Sequence, residues 1–240
     1  MATVAHILAQ TIRRAGIDTV FGLPGGENAE VLDAFRRQGL DFVLVRNESS
    51  AVFMADATAR LTGRPGVALT TLGPGATNAY CGMAHAYLDR APVLLVTAQS
   101  DGRNLDSYTH QVIDLQASFK PITKMTRELT NEQTQSTVEA ALSLTMAGRP
   151  GPVHLGVSAY MAGQEAAQEA EEIKAGPSAA QRNISDVDAA LEFLGGARRP
   201  LIVAGLGLEP QKPYGALLDL AEALQAPVIV TPKAKGAFPA

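Results

Sequence analysis

Basic residues are not in excess in this 240-residue chain. Its 20 Lys+Arg stand against 24 Asp+Glu, a formal net charge of −4, which excludes the clustered positive surface of a nucleic-acid binder. Cys81 is the only cysteine, so no internal disulfide can form. No apolar run approaches the ~18–20 residues that a membrane-spanning helix needs. The opening stretch, MATVAHILAQTIRRAG, places its two arginines after the apolar residues and has no basic leader, so it does not read as a secretory signal. Three catalytic signatures are missing as well: the G-x-G-x-x-G dinucleotide fingerprint, the Gly-Lys-Ser/Thr of a phosphate-binding loop, and any histidine pair at metal-ligand spacing among His6, His85, His110 and His154. A nicotinamide-dependent oxidoreductase, a nucleoside triphosphatase and a zinc enzyme are all disfavoured, and no metal ligands are expected. Hydrophobic residues make up 46% and charged residues 18%, enough to bury a sizeable core. The expected setting is cytoplasmic.

Hydrophobic periodicity supplies the architecture. Val4, Ile7, Leu8, Thr11, Ile12 and Ala15 fall at helical spacing and Gly16 follows as a C-cap. The strand DTVFGL (18–23) then gives way to a helix running to Gly39. The cycle repeats with strand 41–46 and helix 48–62, then strand 66–72 and a small-residue helix over 75–87, then strand 92–98. Thr130 and Gln133 read as a capping box opening a helix to about 147, and GPVHLGV (151–157) closes the set. Continuous apolar strands alternating with helices predict a doubly wound α/β fold, a parallel sheet with helices on both faces, over residues 1–162. Residues 163–183 are poor in large apolar groups and read as a linker. A second, Rossmann-like α/β unit starts at 184, with strands 200–205 and 227–231 and helices 186–195 and 213–224. Two strands cannot close such a core alone, so the unit is expected to be incomplete over 184–240.

In parallel sheets the ligand crevice lies at the carboxyl ends of the strands, which directs attention to three loops. FGLPGGEN (21–28) holds Pro24, Gly25 and Gly26 before a helix start; it is either a tight turn or a place where backbone approaches a ligand closely. TTLGPGATN (70–78) carries Thr71, Gly73, Pro74, Gly75 and Asn78 into the next helix, a geometry that can hold an anion or a flat ring. In RNESSAVFMADATARLTG (46–63), Glu48 directly follows an apolar strand. Asn47 and Glu48 could be an ordinary cap and a dipole-favoured acid. Alternatively, Glu48 is a carboxyl in a tight pocket that shares a proton with a bound base. Of the histidines, His85 and His110 stand nearest to these loops, whereas His6 and His154 read as structural.

Taken in order, FGLPGGEN, then VRNESSAVFMADATARLTGRPGVALTTLGPGATN, then AYLDRAPVLLVTA resemble the N-terminal pyrimidine-binding domain of thiamine-diphosphate-dependent enzymes, most closely the acetohydroxyacid (acetolactate) synthase-like group. The resemblance continues through HQVIDLQASFKPITK (110–124) into RRPLIVAGLGLE and APVIVTPKAKGAFP, which look like the opening of the family's central domain. It implies that Glu48 contacts the pyrimidine ring nitrogen, so that the cofactor's own amino group becomes the base that deprotonates the thiazolium. It implies that Pro24 and Gly25 line the site, that Thr71, Gly73, Pro74, Gly75 and Asn78 lie beside the pyrimidine, and that Gly26, His85 and Gln111 are substrate-side candidates. The implied reaction is decarboxylation and carboligation of a 2-oxo acid. Asn47, Ser49 and Ser50 stand where the family often has His, Gln and Ala, and Asp114 follows Gln111 at a wider gap than its pattern.

Gly-Asp-Gly, which in the family opens the magnesium and diphosphate site of a third domain, does not occur in these 240 residues. The resemblance therefore implies thiamine diphosphate, with magnesium held by residues elsewhere, and leaves FAD open. It also implies a homodimer or homotetramer, or a partner chain that carries the diphosphate site. Alone, the chain is expected to be inactive and to bind cofactor weakly. A fragment, one half of a split enzyme, and a non-catalytic module that pairs with a complete enzyme chain all fit this expectation. Retention of Glu48 and of Gly73–Pro74–Gly75 favours the enzyme over the module.

Overall fold

The computed structural model describes residues 2–101, 110–168, 187–208 and 214–238. These divide into two compact units, residues 1–180 and 181–240. In the first unit six strands form one sheet: β1 (Thr19–Gly22), β2 (Asp41–Leu44), β3 (Gly66–Thr70), β4 (Val93–Gln99), β5 (Thr126–Glu128) and β6 (Val153–Ser158). They lie in the order β2-β1-β3-β4-β6-β5, and every pairing is parallel.

Alternation along the central strands explains the layers. Val67 and Leu69 of β3 and Leu94 and Val96 of β4 face a cluster with Leu8 and Ile12 of α1 (Val4–Arg14), Val31 and Phe35 of α2 (Ala29–Arg37) and Val138 of α7 (Thr134–Met146). Ala68, Val93 and Leu95 face the other way, onto Ala51, Val52 and Ala55 of α3 (Glu48–Thr62) and Met83 of α5 (Tyr80–Leu88). α4 (Pro74–Asn78) and α6 (Leu115–Phe119) join this second face, and α8 (Ala159–Gly163) joins the first. Each fully buried leucine contributes about 2 kcal/mol, so β3 and β4, with Leu69, Leu94 and Leu95 all fully buried, form the centre of the fold. The doubly wound α/β architecture expected from the periodicity is thus present.

Caps set the element ends. Thr3 Oγ1 accepts from His6 N at 3.2 Å to open α1, and Asn47 Oδ1 accepts from Ser49 N at 2.9 Å to open α3. α3 stops at Gly63, whose φ of +70° supplies a left-handed C-cap. Three local expectations are corrected. The helix expected over 75–87 is two, α4 and α5, meeting at Ala79. The capping box at Thr130 and Gln133 does not form; α7 starts at Thr134, whose hydroxyl donates to Thr130 O at 2.8 Å. Short β5, α6 and α8 add elements that periodicity did not indicate, because β5 (Thr-Arg-Glu) is an edge strand without an apolar run.

Of the segment read as a linker, residues 169–183 lie outside the described residues. Residues 164–167 are tied to the first unit: Gln164 O accepts from Val4 N, Ala166 N donates to Ala2 O, and Ala167 N donates to Asn131 O, at 2.8–2.9 Å. The second unit contains α9 (Val187–Gly195), β7 (Ile202–Ala204), α10 (Gly215–Leu224) and β8 (Val228–Val230), with β7 and β8 parallel.

Candidate active site

The first three strands leave the sheet side by side, as β2-β1-β3, and the strand order reverses about β1. Their carboxyl-end loops, 23–28, 45–47 and 71–73, therefore meet at one edge, the position where open α/β sheets bind ligands. The loop after β1 is braced by Asn28, which is 1% exposed. Its Oδ1 accepts from Gly25 N at 2.9 Å, and its Nδ2 donates to Leu23 O at 3.0 Å. One side chain thus satisfies two backbone groups and holds Pro24–Gly25 in an open arc.

Glu48, the first residue of α3, is 8% exposed. Its Oε2 accepts from Asn78 Nδ2 at 3.1 Å, and no hydrogen bond from the described residues reaches Oε1. That free oxygen lies 3.3 Å from where a Cβ on Gly75 would sit. The same Cβ would collide with Thr71 Oγ1, and a Cβ on Gly25 would collide with Thr71 Cγ2. Gly25, Thr71, Gly75 and Glu48 therefore form a close-packed row, a cradle in which the Thr71 side chain lies against both glycines beside a buried carboxylate. Asn78 closes its end.

Gly73 has φ +54°, and its Cβ would lie 2.6 Å from Gln111 Cβ and 2.8 Å from Gln111 O, so no other residue fits there without strain. Gln111, itself at φ +57°, packs on the far side of this loop. Pro74 starts α4 and is exposed. Pro24 and Gly25 also border a groove of about 530 Å³ on the α2–β2 side, floored by Leu32 and Phe42 and rimmed by Arg36. A Cβ on Gly26 would point into open space.

His85 is placed elsewhere. It lies near the C-terminus of α5, with Nε2 3.3 Å from Asp56 and 3.2 Å from Asp89, in a cluster completed by Arg60. This arrangement joins α3 to α5 and does not bring His85 to Glu48. His110 adjoins residues outside the described set.

A second polar cluster is buried in the sheet. His154 bridges Thr97 Oγ1 (2.9 Å from Nε2) and Thr126 Oγ1 (2.7 Å from Nδ1), and Phe119 covers its ring. Burial pushes its pKa down to about 3. Nearer the surface, burial raises the Glu128 carboxyl, with the Asp114 charge adding to the shift, and burial lowers Lys124, whose Nζ donates to the terminal carbonyls of α7. Among the described residues no group of three or more His, Cys, Asp or Glu could hold a metal ion, and no helix is long and apolar enough to cross a membrane.

Motif reading did not single out Asn28 or Ser49. Asn28 could have been suspected, since an Asn closing a Gly-Gly loop commonly bonds back to its backbone. Ser49 donates its hydroxyl to Asn78 O, a partner 29 residues away that no local pattern indicates.

A doubly wound parallel sheet whose reversal point carries one buried carboxylate between glycine loops belongs to the class of open α/β ligand-binding domains. Residues 2–118 match the family described as thiamine pyrophosphate enzyme, N-terminal TPP binding domain, and residues 187–240 match thiamine pyrophosphate enzyme, central domain. The chain belongs to this thiamine pyrophosphate enzyme family and is acetolactate synthase-like within it. It is 34% identical to an acetolactate synthase of Arthrospira platensis over 98% of this chain and 42% of that protein. It is 31% identical to the acetolactate synthase isozyme 3 large subunit of Escherichia coli K12, over 100% of this chain and 43% of the relative. A protein of Pseudomonas aeruginosa named as a probable 2-ketoarginine decarboxylase is also 31% identical, over 99% of this chain and 43% of its own length. The chain thus spans about two-fifths of the length of these curated relatives.

Proposed function

We propose that this chain supplies the half-site that receives the pyrimidine ring of thiamine diphosphate in an enzyme acting on 2-oxo acids, with Glu48 as the residue that activates the cofactor. The observation that carries this reading is the cradle: a buried carboxylate with one oxygen free, beside two glycines whose missing side chains let the chain pack closely around Thr71. A weakly basic heterocycle suits such a carboxylate, because its ring nitrogen needs a carboxyl partner. When bound, the cofactor supplies the carbon nucleophile that adds to a 2-oxo acid carbonyl and lets carbon dioxide leave.

The chain's own residues act on the cofactor's edge. Asn78 occupies Oε2, so Glu48 offers Oε1 to hold or share a proton with the ring nitrogen. Thr71 forms the wall between the two glycines, and Asn28 keeps the 23–28 arc open so that Pro24 and Gly25 can border the ring. Diphosphate and magnesium are assigned to residues outside these 240, which contain no Gly-Asp-Gly. Residues of a fuller chain, or another chain of the family, that carry Gly-Asp-Gly would supply them. Relatives named as acetolactate synthases favour transfer of the two-carbon unit to a second carbonyl compound, and the relative named as a decarboxylase marks protonation as the other outcome.

The test uses the protein isolated with any chain that accompanies it. Carbon dioxide release from a 2-oxo acid is expected to require added thiamine diphosphate and magnesium, and Glu48→Gln is expected to lower turnover at least ~100-fold, the scale of losing a positioned proton-transfer group. Unchanged turnover in Glu48→Gln would overturn the assignment.

A further inference from the structure

We infer that Ser49 and Asn78 form a two-way clamp that chooses which oxygen of Glu48 faces the ligand, making Ser49 a positioning residue of the site. The inference rests on the reading of Glu48 as the pyrimidine partner. Two hydrogen bonds run in opposite directions between the start of α3 and the end of α4: Ser49 Oγ donates to Asn78 O, and Asn78 Nδ2 donates to Glu48 Oε2 at 3.1 Å. Asn78 is therefore gripped at its backbone by one residue of α3, and its side chain grips the residue before it.

Each part has a physical cause. Asn78 is the last residue of the five-residue α4, and carbonyls at a helix end lack an intrahelical partner. The Ser49 hydroxyl supplies one. It can reach because α5 approaches α3 closely at Gly82, where a Cβ would lie 2.6 Å from Val52 Cβ and 3.0 Å from Ser49 O. The backbone of Ser49 is fixed in turn by Asn47, whose side chain accepts from Ser49 N at 2.9 Å. With its main chain held, Asn78 directs its amide at Glu48 Oε2.

The consequence is chemical. The two oxygens of an unbound carboxylate are interchangeable by rotation of the terminal torsion. A donor held in place on Oε2 removes that symmetry and leaves Oε1 beside Gly75 for the incoming base. Asn78, which motif reading set beside the pyrimidine, thus acts through Glu48.

The experiment compares wild type, Ser49→Ala and Ser49→Thr by NMR, with 4-amino-5-hydroxymethyl-2-methylpyrimidine as the probe ligand. In the unliganded protein the Asn78 side-chain amide is expected to exchange slowly with solvent in wild type and Ser49→Thr and to lose that protection in Ser49→Ala. Affinity for the pyrimidine is expected to fall about tenfold in Ser49→Ala, as one net hydrogen bond predicts, and to recover in Ser49→Thr. A merely structural serine would lower the melting temperature and leave the amide signature and affinity together unchanged. If Ser49→Ala does not fold, Ser49→Cys, which keeps the shape with a weak donor, takes its place. Wild-type affinity and Asn78 protection in the serine-deficient variant would overturn the clamp. If wild type fails to bind the pyrimidine at all, the reading of Glu48 falls, and Asn78 protection still decides whether the clamp exists.

Discussion

Two buried polar residues, Glu48 and His154, illustrate opposite uses of burial. His154 is 0% exposed, bridges Thr97 and Thr126, and is held neutral with its pKa pushed down to about 3. In the unfolded chain the imidazole titrates near its ordinary value of 6.5. Above 6.5 both states are neutral and the bridge contributes in full. Below it the unfolded chain takes up a proton that the folded chain refuses, so stability falls as pH drops from 6.5 toward 3, by up to about 1.4 kcal/mol per pH unit. Urea midpoints between pH 7 and pH 5 should therefore decline more steeply in wild type than in His154→Gln; equal slopes would contradict this. Glu48, by contrast, keeps one carboxylate oxygen free beside Gly75. Glu48 was legible only through the three loops read in order, since an acid in the first turn of a helix is by itself an ordinary, dipole-favoured residue. The sequence could not make Ser49–Asn78 or Thr97–His154–Thr126 legible, since their partners lie 28 to 57 residues apart and only the folded sheet brings them together.

At the scale of elements, the glycine loops do the positioning. Gly75→Ala would place a methyl group against Thr71 Oγ1 and within 3.3 Å of Glu48 Oε1. It is expected to leave far-ultraviolet circular dichroism unchanged while weakening pyrimidine binding more than about tenfold, the cost of pushing Thr71 and Glu48 out of place. Gly73→Ala meets both a φ of +54° and the Gln111 backbone, and should cost about 1–3 kcal/mol in urea denaturation. A stability loss for Gly75→Ala larger than that for Gly73→Ala would contradict this division of roles. The strands and long helices were legible because their apolar runs are continuous: β3 is buried at all five positions and β4 at six of seven. β5 was not, because two of its three residues are charged and it pairs on one side alone. The break between α4 and α5 was not legible because residues 77–80 contain no glycine or proline, and only the backbone at Ala79 separates the two helices.

On the scale of the whole molecule, a six-stranded parallel unit carries the cradle and a second unit begins the family's central domain. The doubly wound class followed from strand–helix alternation, but the chemistry did not: Glu48 alone has an equally good explanation as a helix-start acid, and only the three loops read together single it out. With no Gly-Asp-Gly among the 240 residues, the isolated chain is expected to show no 2-oxo acid turnover with thiamine diphosphate and magnesium, and to gain it when a family chain carrying the diphosphate site is added. Turnover by the purified chain alone would contradict this. The most direct measurement of whether Glu48 receives the pyrimidine is an amide-shift titration of the isotopically labelled chain with 4-amino-5-hydroxymethyl-2-methylpyrimidine, in wild type and Glu48→Gln. Saturable shifts confined to Gly25, Glu48, Thr71, Gly75 and Asn78, lost in Glu48→Gln, are the predicted result. Shifts elsewhere, or shifts that persist at the same concentrations in Glu48→Gln, would show that Glu48 is only the carboxylate at the start of its helix.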